Sequence, residues 1–284
     1  MLGDGRKMEG SFRVIRTKVD EWQMNAIGAQ VYNDILVPAI FAPWVPKVLK
    51  ACDLRAGQRV LDVACGTGLL TEAAARAVSP AGDVVGLDIN PEMLAVAAVG
   101  RSGSIRWTEG DAQSMPFADE YFDRVLCQLG LQYFADQSAA VSEMHRVCRP
   151  GGRVTIMLWR DIQHSPGFAL LAELIGDILG KDIGESMRGP FAFGDNGELL
   201  GKLLEQAGFA DISTTVATDM VRFRSVEEFV GDQLVASPLG TRPDLRSDNW
   251  TRPIIRRVLA EFSLSSPTDP ITFPIEAYLA VGRR

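Results

Sequence analysis

The stretch Val60-Leu61-Asp62-Val63-Ala64-Cys65-Gly66-Thr67-Gly68 constrains this chain more than any other. It begins as an apolar strand carrying a carboxylate and ends as a glycine-rich turn. Leu69 to Val78 then reads as an alanine-rich helix. Gly66 and Gly68 lack a Cβ, so the chain can turn tightly and a ligand can approach bare backbone. The helix start behind them offers unpaired N–H groups. Strand, glycine turn and helix in this order are common to several nucleotide-binding folds.

The dinucleotide fingerprint has a third glycine that lets helix and strand pack closely. Here Thr71 stands in its place, and Asp62 lies four residues before Gly66. A carboxylate at a strand end repels a pyrophosphate and suits a ligand carrying a cation. A second apolar strand, Asp83 to Asp88, ends in an acid twenty residues after Gly68. That is the spacing at which doubly wound folds place a carboxylate on ribose hydroxyls. Ile105 to Ala112 ends a third strand in Gly110-Asp111-Ala112. Phe122 to Gln128 is a fourth strand, and Arg149-Pro150-Gly151-Gly152 leads into a fifth, Arg153 to Trp159.

Taken together, Leu61 to Gly68, Leu87-Asp88-Ile89, Gly110-Asp111-Ala112 and Arg146 to Gly152 give the chain its resemblance to the class I S-adenosylmethionine-dependent methyltransferases. It looks closest to the small-molecule branch that includes the ubiquinone and menaquinone biosynthesis enzymes. The resemblance covers roughly Pro46 to Leu158 well. It implies an α/β fold, a doubly wound, seven-stranded, mostly parallel Rossmann-like sheet with a helical lid and insertions. It implies S-adenosyl-L-methionine as cofactor and methyl transfer to a small acceptor. Asp62 is then assigned to the cationic end of the cofactor, and backbone at Ala64, Gly66 and Gly68 to its methionine part. Asp88 accepts the ribose hydroxyls, Ile89 and Met93 sandwich adenine, and Asp111 and Ala112 meet its edge. Gln128 sits near the sulfur, and Tyr32 faces the methionine end.

Composition narrows the partners. The net charge of −7 disfavours nucleic acid, whose phosphates need neutralising. Four cysteines without a CxxC pair, and two histidines, argue against a zinc site or a disulfide framework and fit a reducing cytoplasm. No unbroken apolar run of the ~18 to 20 residues that span a membrane is evident, and the N-terminus does not read as a signal peptide. A soluble cytoplasmic protein without membrane insertion is expected.

The flanks divide the chain into a flexible N-terminus over 1–18 and an N-terminal helical lid over 19–45. The cofactor-binding domain covers 46–219 and 271–284, and a helical insertion covers 220–270. Pro38 and Pro43 are expected to break the lead helix. Asp195-x-x-Glu198 and Ser225-x-x-Glu228 read as capping boxes, and a strand is expected from Ile212 to Val216. The insertion is either a cap over the site or an oligomer contact, which leaves a homodimer open.

Methyl transfer needs a base only if the nucleophile arrives protonated. His164, in the loop after the fifth strand, is the best candidate. Gln132 and Tyr133 either orient substrate or pack inside, and His145 reads as structural. The apolar helix Phe168 to Leu179 and the aromatic loop Arg188 to Phe193 point to a mostly apolar acceptor, with oxygen, nitrogen and carbon nucleophiles all open. Two other readings compete. One is a cofactor-binding protein with a non-methylating activity, because fold does not fix function. The other is an NAD-dependent oxidoreductase, against which Asp62 and the missing third glycine weigh.

Overall fold

The structure, a computed structural model, describes residues 25–99, 105–235 and 250–284. The N-terminal stretch 1–18, the start of the lead at 19–24 and the middle of the insertion at 236–249 lie outside the described residues.

Seven strands form one sheet: β1 (Arg59–Val63), β2 (Asp83–Asp88), β3 (Ile105–Glu109), β4 (Phe122–Gln128), β5 (Cys148–Trp159), β6 (Ala210–Phe223) and β7 (Ile271–Arg283). Their order is β3-β2-β1-β4-β5-β7-β6. β1 to β5 pair in parallel, and β7 runs antiparallel between β5 and β6. The doubly wound, mostly parallel expectation holds.

Alternation along the strands feeds two cores, one on each face. Val60, Leu126, Met157 and Trp159 belong to one. Leu61, Val63, Val125, Ile156 and Leu158 belong to the other. The second core lies under α5 (Gln137–Val147) and α8 (Gly197–Gln206). The first lies under the N-terminal lead, α3 (Leu69–Val78) and α6 (Pro166–Leu179). The helices of the 220–270 stretch, α9 (Val226–Val235) and α10 (Thr251–Glu261), join that same core through Val226, Phe229, Ile254 and Val258.

Three local expectations are corrected. The described part of the lead is helical throughout, from α1 (Ala26–Val31) through a π-helical stretch Tyr32–Phe41 and a 3₁₀ turn into α2 (Val45–Cys52). Pro38 does not break it: the stretch takes the wider π register, in which Ala42 N–H reaches back to Val37 O. The resulting 27-residue helical run is long and apolar enough, by length and composition, to cross a membrane, so the expectation of no such run fails. In the structure Leu36, Ile40, Trp44 and Val48 on it are buried in the first core. Second, Asn196 rather than Asp195 caps α8, accepting from Leu199 N. The Ser225 cap is present, with Ser225 Oγ accepting from Glu228 N at 3.0 Å. Third, β6 extends to Phe223 rather than ending at Val216, because its pairing with β7 continues to Ile271.

Arginines fasten the end of α2 to the sheet. Arg124 Nε on β4 donates to Cys52 O, and Arg153 Nη1 on β5 donates to Ala51 O, which satisfies carbonyls a helix end leaves open. Lys47 pairs with Asp219 on β6. The arginines thereby hold the end of α2 at the amino-terminal part of β4 and β5, while Lys47 reaches β6 near the level of the carboxyl end of β5.

Candidate active site

A cavity of about 260 Å³ lies at the carboxyl ends of β2, β1, β4 and β5, beneath the lead. A smaller one of about 40 Å³ lies beside it towards β3. In an open α/β sheet this is where ligands bind.

Tyr32, Asp62, Ala64, Gly66 and Asp88 line the larger cavity, as do Ile89, Met93 and Gln128. Asp111 and Ala112 line the smaller one, which shares Ala64, Asp88 and Ile89 with its neighbour. Gly68 lines neither; it caps α3 with φ of 83°. Gly66 sits at φ of 54°, and a Cβ there would meet open space, so the backbone conformation calls for glycine. Ala64 and Leu129 adopt φ of 56° and 60°, the left-handed region that non-glycine residues rarely enter. Both line the cavity, one after β1 and one after β4. Gly130 makes their approach feasible, since a Cβ on it would fall 2.5 Å from that of Ala64.

Two buried carboxylates line the cavity at the ends of β1 and β2. Asp62 is fully buried, and its Oδ2 accepts from Thr71 Oγ1 at 2.6 Å. Burial pushes its carboxyl up to about 7; the Thr71 hydroxyl opposes that rise and the nearby Asp88 charge adds to it. Asp88 Oδ2 accepts from Gly66 N at 2.7 Å and Oδ1 from Asn90 N at 2.9 Å. Burial raises its carboxyl too, against the pull of those backbone donors. Asp88 therefore ties the glycine turn to the start of α4 (Pro91–Ala98), where Asn90 is the N-cap as expected. A pair of buried acids side by side creates a demand for positive charge.

The other half of the cavity is aromatic. Tyr32 stacks on Phe41 with centroids 5.1 Å apart. Phe41 and Phe191 each lie 6.4 Å from Trp159, at interplanar angles of 24° and 25°. Trp44 meets Trp159 edge-on at 5.4 Å, and Phe168 closes on Phe191 at 5.8 Å. The rings come from the lead, β5, α6 and the loop after α7 (Lys181–Arg188). Sequence reading flagged these aromatic segments separately. It missed that they converge, and it missed Thr71 as the partner of Asp62.

His164 is placed elsewhere. It does not line the cavity. Its Nε2 lies 2.9 Å from Asp195 Oδ2 and its Nδ1 3.5 Å from Glu276 Oε2. Arg160 pairs with the same two carboxylates at 2.9 and 2.5 Å. The base assignment is corrected on this geometry: both ring nitrogens face carboxylates of a surface cluster. Tyr133 lines the cavity, whereas Gln132 is buried behind it. His145 packs edge-on against Phe209 at 4.9 Å, a structural contact as expected.

Residues 61–156 match the methyltransferase domain family. The ubiquinone/menaquinone biosynthesis C-methyltransferase of Saccharophagus degradans is 31% identical over 224 residues, which cover 72% of this chain and 84% of that protein. Among solved structures, the YcgJ protein of Bacillus subtilis aligns with a TM-score of 0.55 at 22% identity, covering 84% of this chain and 97% of that one. Phosphoethanolamine N-methyltransferase 2 of Haemonchus contortus, solved with S-adenosyl-L-methionine, aligns with a TM-score of 0.59 at 19% identity, covering 94% of this chain and 59% of that one. The two structural likenesses are likenesses of fold.

Proposed function

We propose, from the premise that the chain belongs to the class I S-adenosylmethionine-dependent methyltransferases, that its acceptor is a small, largely apolar molecule methylated on oxygen, nitrogen or carbon. S-adenosylmethionine is the cofactor and methyl transfer the reaction. When bound, the cofactor supplies a methyl group on a sulfonium, which an in-line nucleophile displaces.

The observation that carries this reading is the order of chemistry along the sheet. Passing from β3 to β5, the strand ends present Asp111, then Asp88, then Asp62 and the glycine turn, then Gln128, then Trp159. Four strand spacings of about 4.8 Å make roughly 19 Å, room for an extended nucleoside amino acid and a second molecule end to end. Asp111 and the Ala112 N–H suit the adenine edge. Ile89, 42% exposed despite its apolar side chain, and the buried Met93 suit its two faces. Asp88 suits the ribose hydroxyls. Asp62 suits the cationic methionine end, with backbone at Ala64, Gly66 and Gly68 alongside it. Tyr32 belongs over the same end.

The residues of the chain align the partners and exclude water, which is most of what displacement at carbon requires. The ring-lined half supports an apolar acceptor, and the lead over the strand ends supports its role as a lid. Net charge supports a partner other than nucleic acid, and four buried free thiols support a reducing compartment such as the cytoplasm.

The test is calorimetric titration of the full chain with S-adenosylmethionine, S-adenosylhomocysteine and NAD in parallel. The first two are expected to bind and NAD not. Selective binding of NAD would overturn the reading of Asp62 and with it the proposal.

A further inference from the structure

We infer that Gln128 holds the acceptor rather than the cofactor. Its side-chain oxygen takes a hydrogen bond from an O–H or N–H at the reacting end of an otherwise apolar molecule. The inference rests on the function proposed above and names the residue that reads the acceptor. Gln128 Oε1 is buried and has no hydrogen-bond partner among the described residues. Its Nε2 donates to Phe41 O at 3.4 Å, a long and therefore weak bond. An unpaired amide oxygen in a protein wall is costly to keep. The broad terminal torsion of glutamine lets so loosely held an amide turn towards an incoming donor.

The strand order says which ligand brings that donor. The donor groups of the cofactor, its amino groups and ribose hydroxyls, are matched by carboxylates on β1, at the end of β2 and beyond β3. Its sulfonium has no hydrogen to donate. Gln128 lies on β4, one strand beyond Asp62 and one short of Trp159. Asp62 pairs in register with Leu126, so Gln128 stands two residues, about 7 Å, further along. That puts it at the border between the acidic and the ring-lined halves. Past it, Leu36, Ile40, Phe41, Trp159, Phe168 and Phe191 are all apolar.

The test uses two probes that differ by one methyl, 2-naphthol with an O–H to donate and its methyl ether 2-methoxynaphthalene without one. Both are titrated into the full chain saturated with S-adenosylhomocysteine, with the Gln128 variant separating the lost donor from the added bulk. The naphthol is expected to bind about five- to tenfold more tightly, the worth of one hydrogen bond. Gln128→Met, of similar volume, is expected to abolish that preference and to leave S-adenosylhomocysteine affinity within about twofold. Equal affinity of the two probes for the wild-type chain would overturn the inference without any variant. So would failure of both to bind the loaded protein, or a variant that loses cofactor and naphthol affinity in equal measure. If S-adenosylhomocysteine itself does not bind, the proposed function falls first and the inference falls with it.

Discussion

Thr71 stands where a dinucleotide turn has its third glycine, and its hydroxyl lies 2.6 Å from Asp62. The two departures from that fingerprint are therefore one feature: the turn trades close helix packing for a donor that steadies a buried acid. Folding lifts the Asp62 carboxyl from 3.8 to about 7. Between those values the folded chain keeps a proton that the unfolded chain has released. This group's contribution to stability accordingly falls as pH rises through that window. A cationic ligand reverses the preference, because it binds the ionised acid. Affinity for S-adenosylmethionine is expected to weaken by up to about tenfold per unit as pH falls below 7, with calorimetry in buffers of different ionisation enthalpy reporting the released proton. Asp62→Asn should remove that proton release; its persistence in the variant would move the effect to another group. Asp88→Ala removes the acceptor of both the Gly66 and Asn90 amides. It is expected to cost more than ~1 kcal/mol of S-adenosylhomocysteine binding, and unchanged affinity would end the ribose assignment.

At the scale of elements, the lead and the loop after α7 supply rings to the cavity, and each is held by a different device. Trp44 in the lead is fully buried against Trp159, so Trp44→Ala is expected to cost about 3 to 5 kcal/mol in a urea titration. A loss below ~1 kcal/mol would mean the lead is not part of the core. The loop is tied by Asp195, which receives His164 and Arg160. The neighbouring histidine holds the Asp195 carboxyl below its ordinary range. Asp195 was legible as a capping residue because it stands three before Glu198. Asn196, one step later, does the capping, and that leaves Asp195 free for the cluster. His164→Ala is expected to cost no more than ~1 kcal/mol of stability, as a partly exposed ion pair does. It is also expected to leave the pH profile of methyl transfer unchanged. Loss of one limb of that profile would return His164 to the reaction.

For the molecule as a whole, what could be read from sequence was what is local. α3, β2 and β4 have the ends the pattern predicts, because each is an apolar run bounded by its own glycine, proline or acid. β6 was read short at Val216 because the polar Thr218, Asp219 and Arg222 interrupt the apolar residues that follow; pairing with β7 as far as Phe223 sets its length. The cavity was the least legible part, since its rings come from segments spread from Tyr32 to Phe191 and meet only in the folded chain. That spread has a consequence for dynamics. The lead lines the cavity from Tyr32 to Phe41, and on the function proposed above it meets both ligands. Cofactor should therefore order the helix that the acceptor meets. S-adenosylhomocysteine at a hundred times its dissociation constant is expected to stabilise the fold by about 2.7 kcal/mol. Amide hydrogen exchange is expected to slow along Tyr32 to Phe41 as well as in the Gly66 turn. Protection confined to the turn would make the lead a packing helix and not a lid. Protection of both, growing further when an acceptor is added, is what one helix shared by two ligands requires.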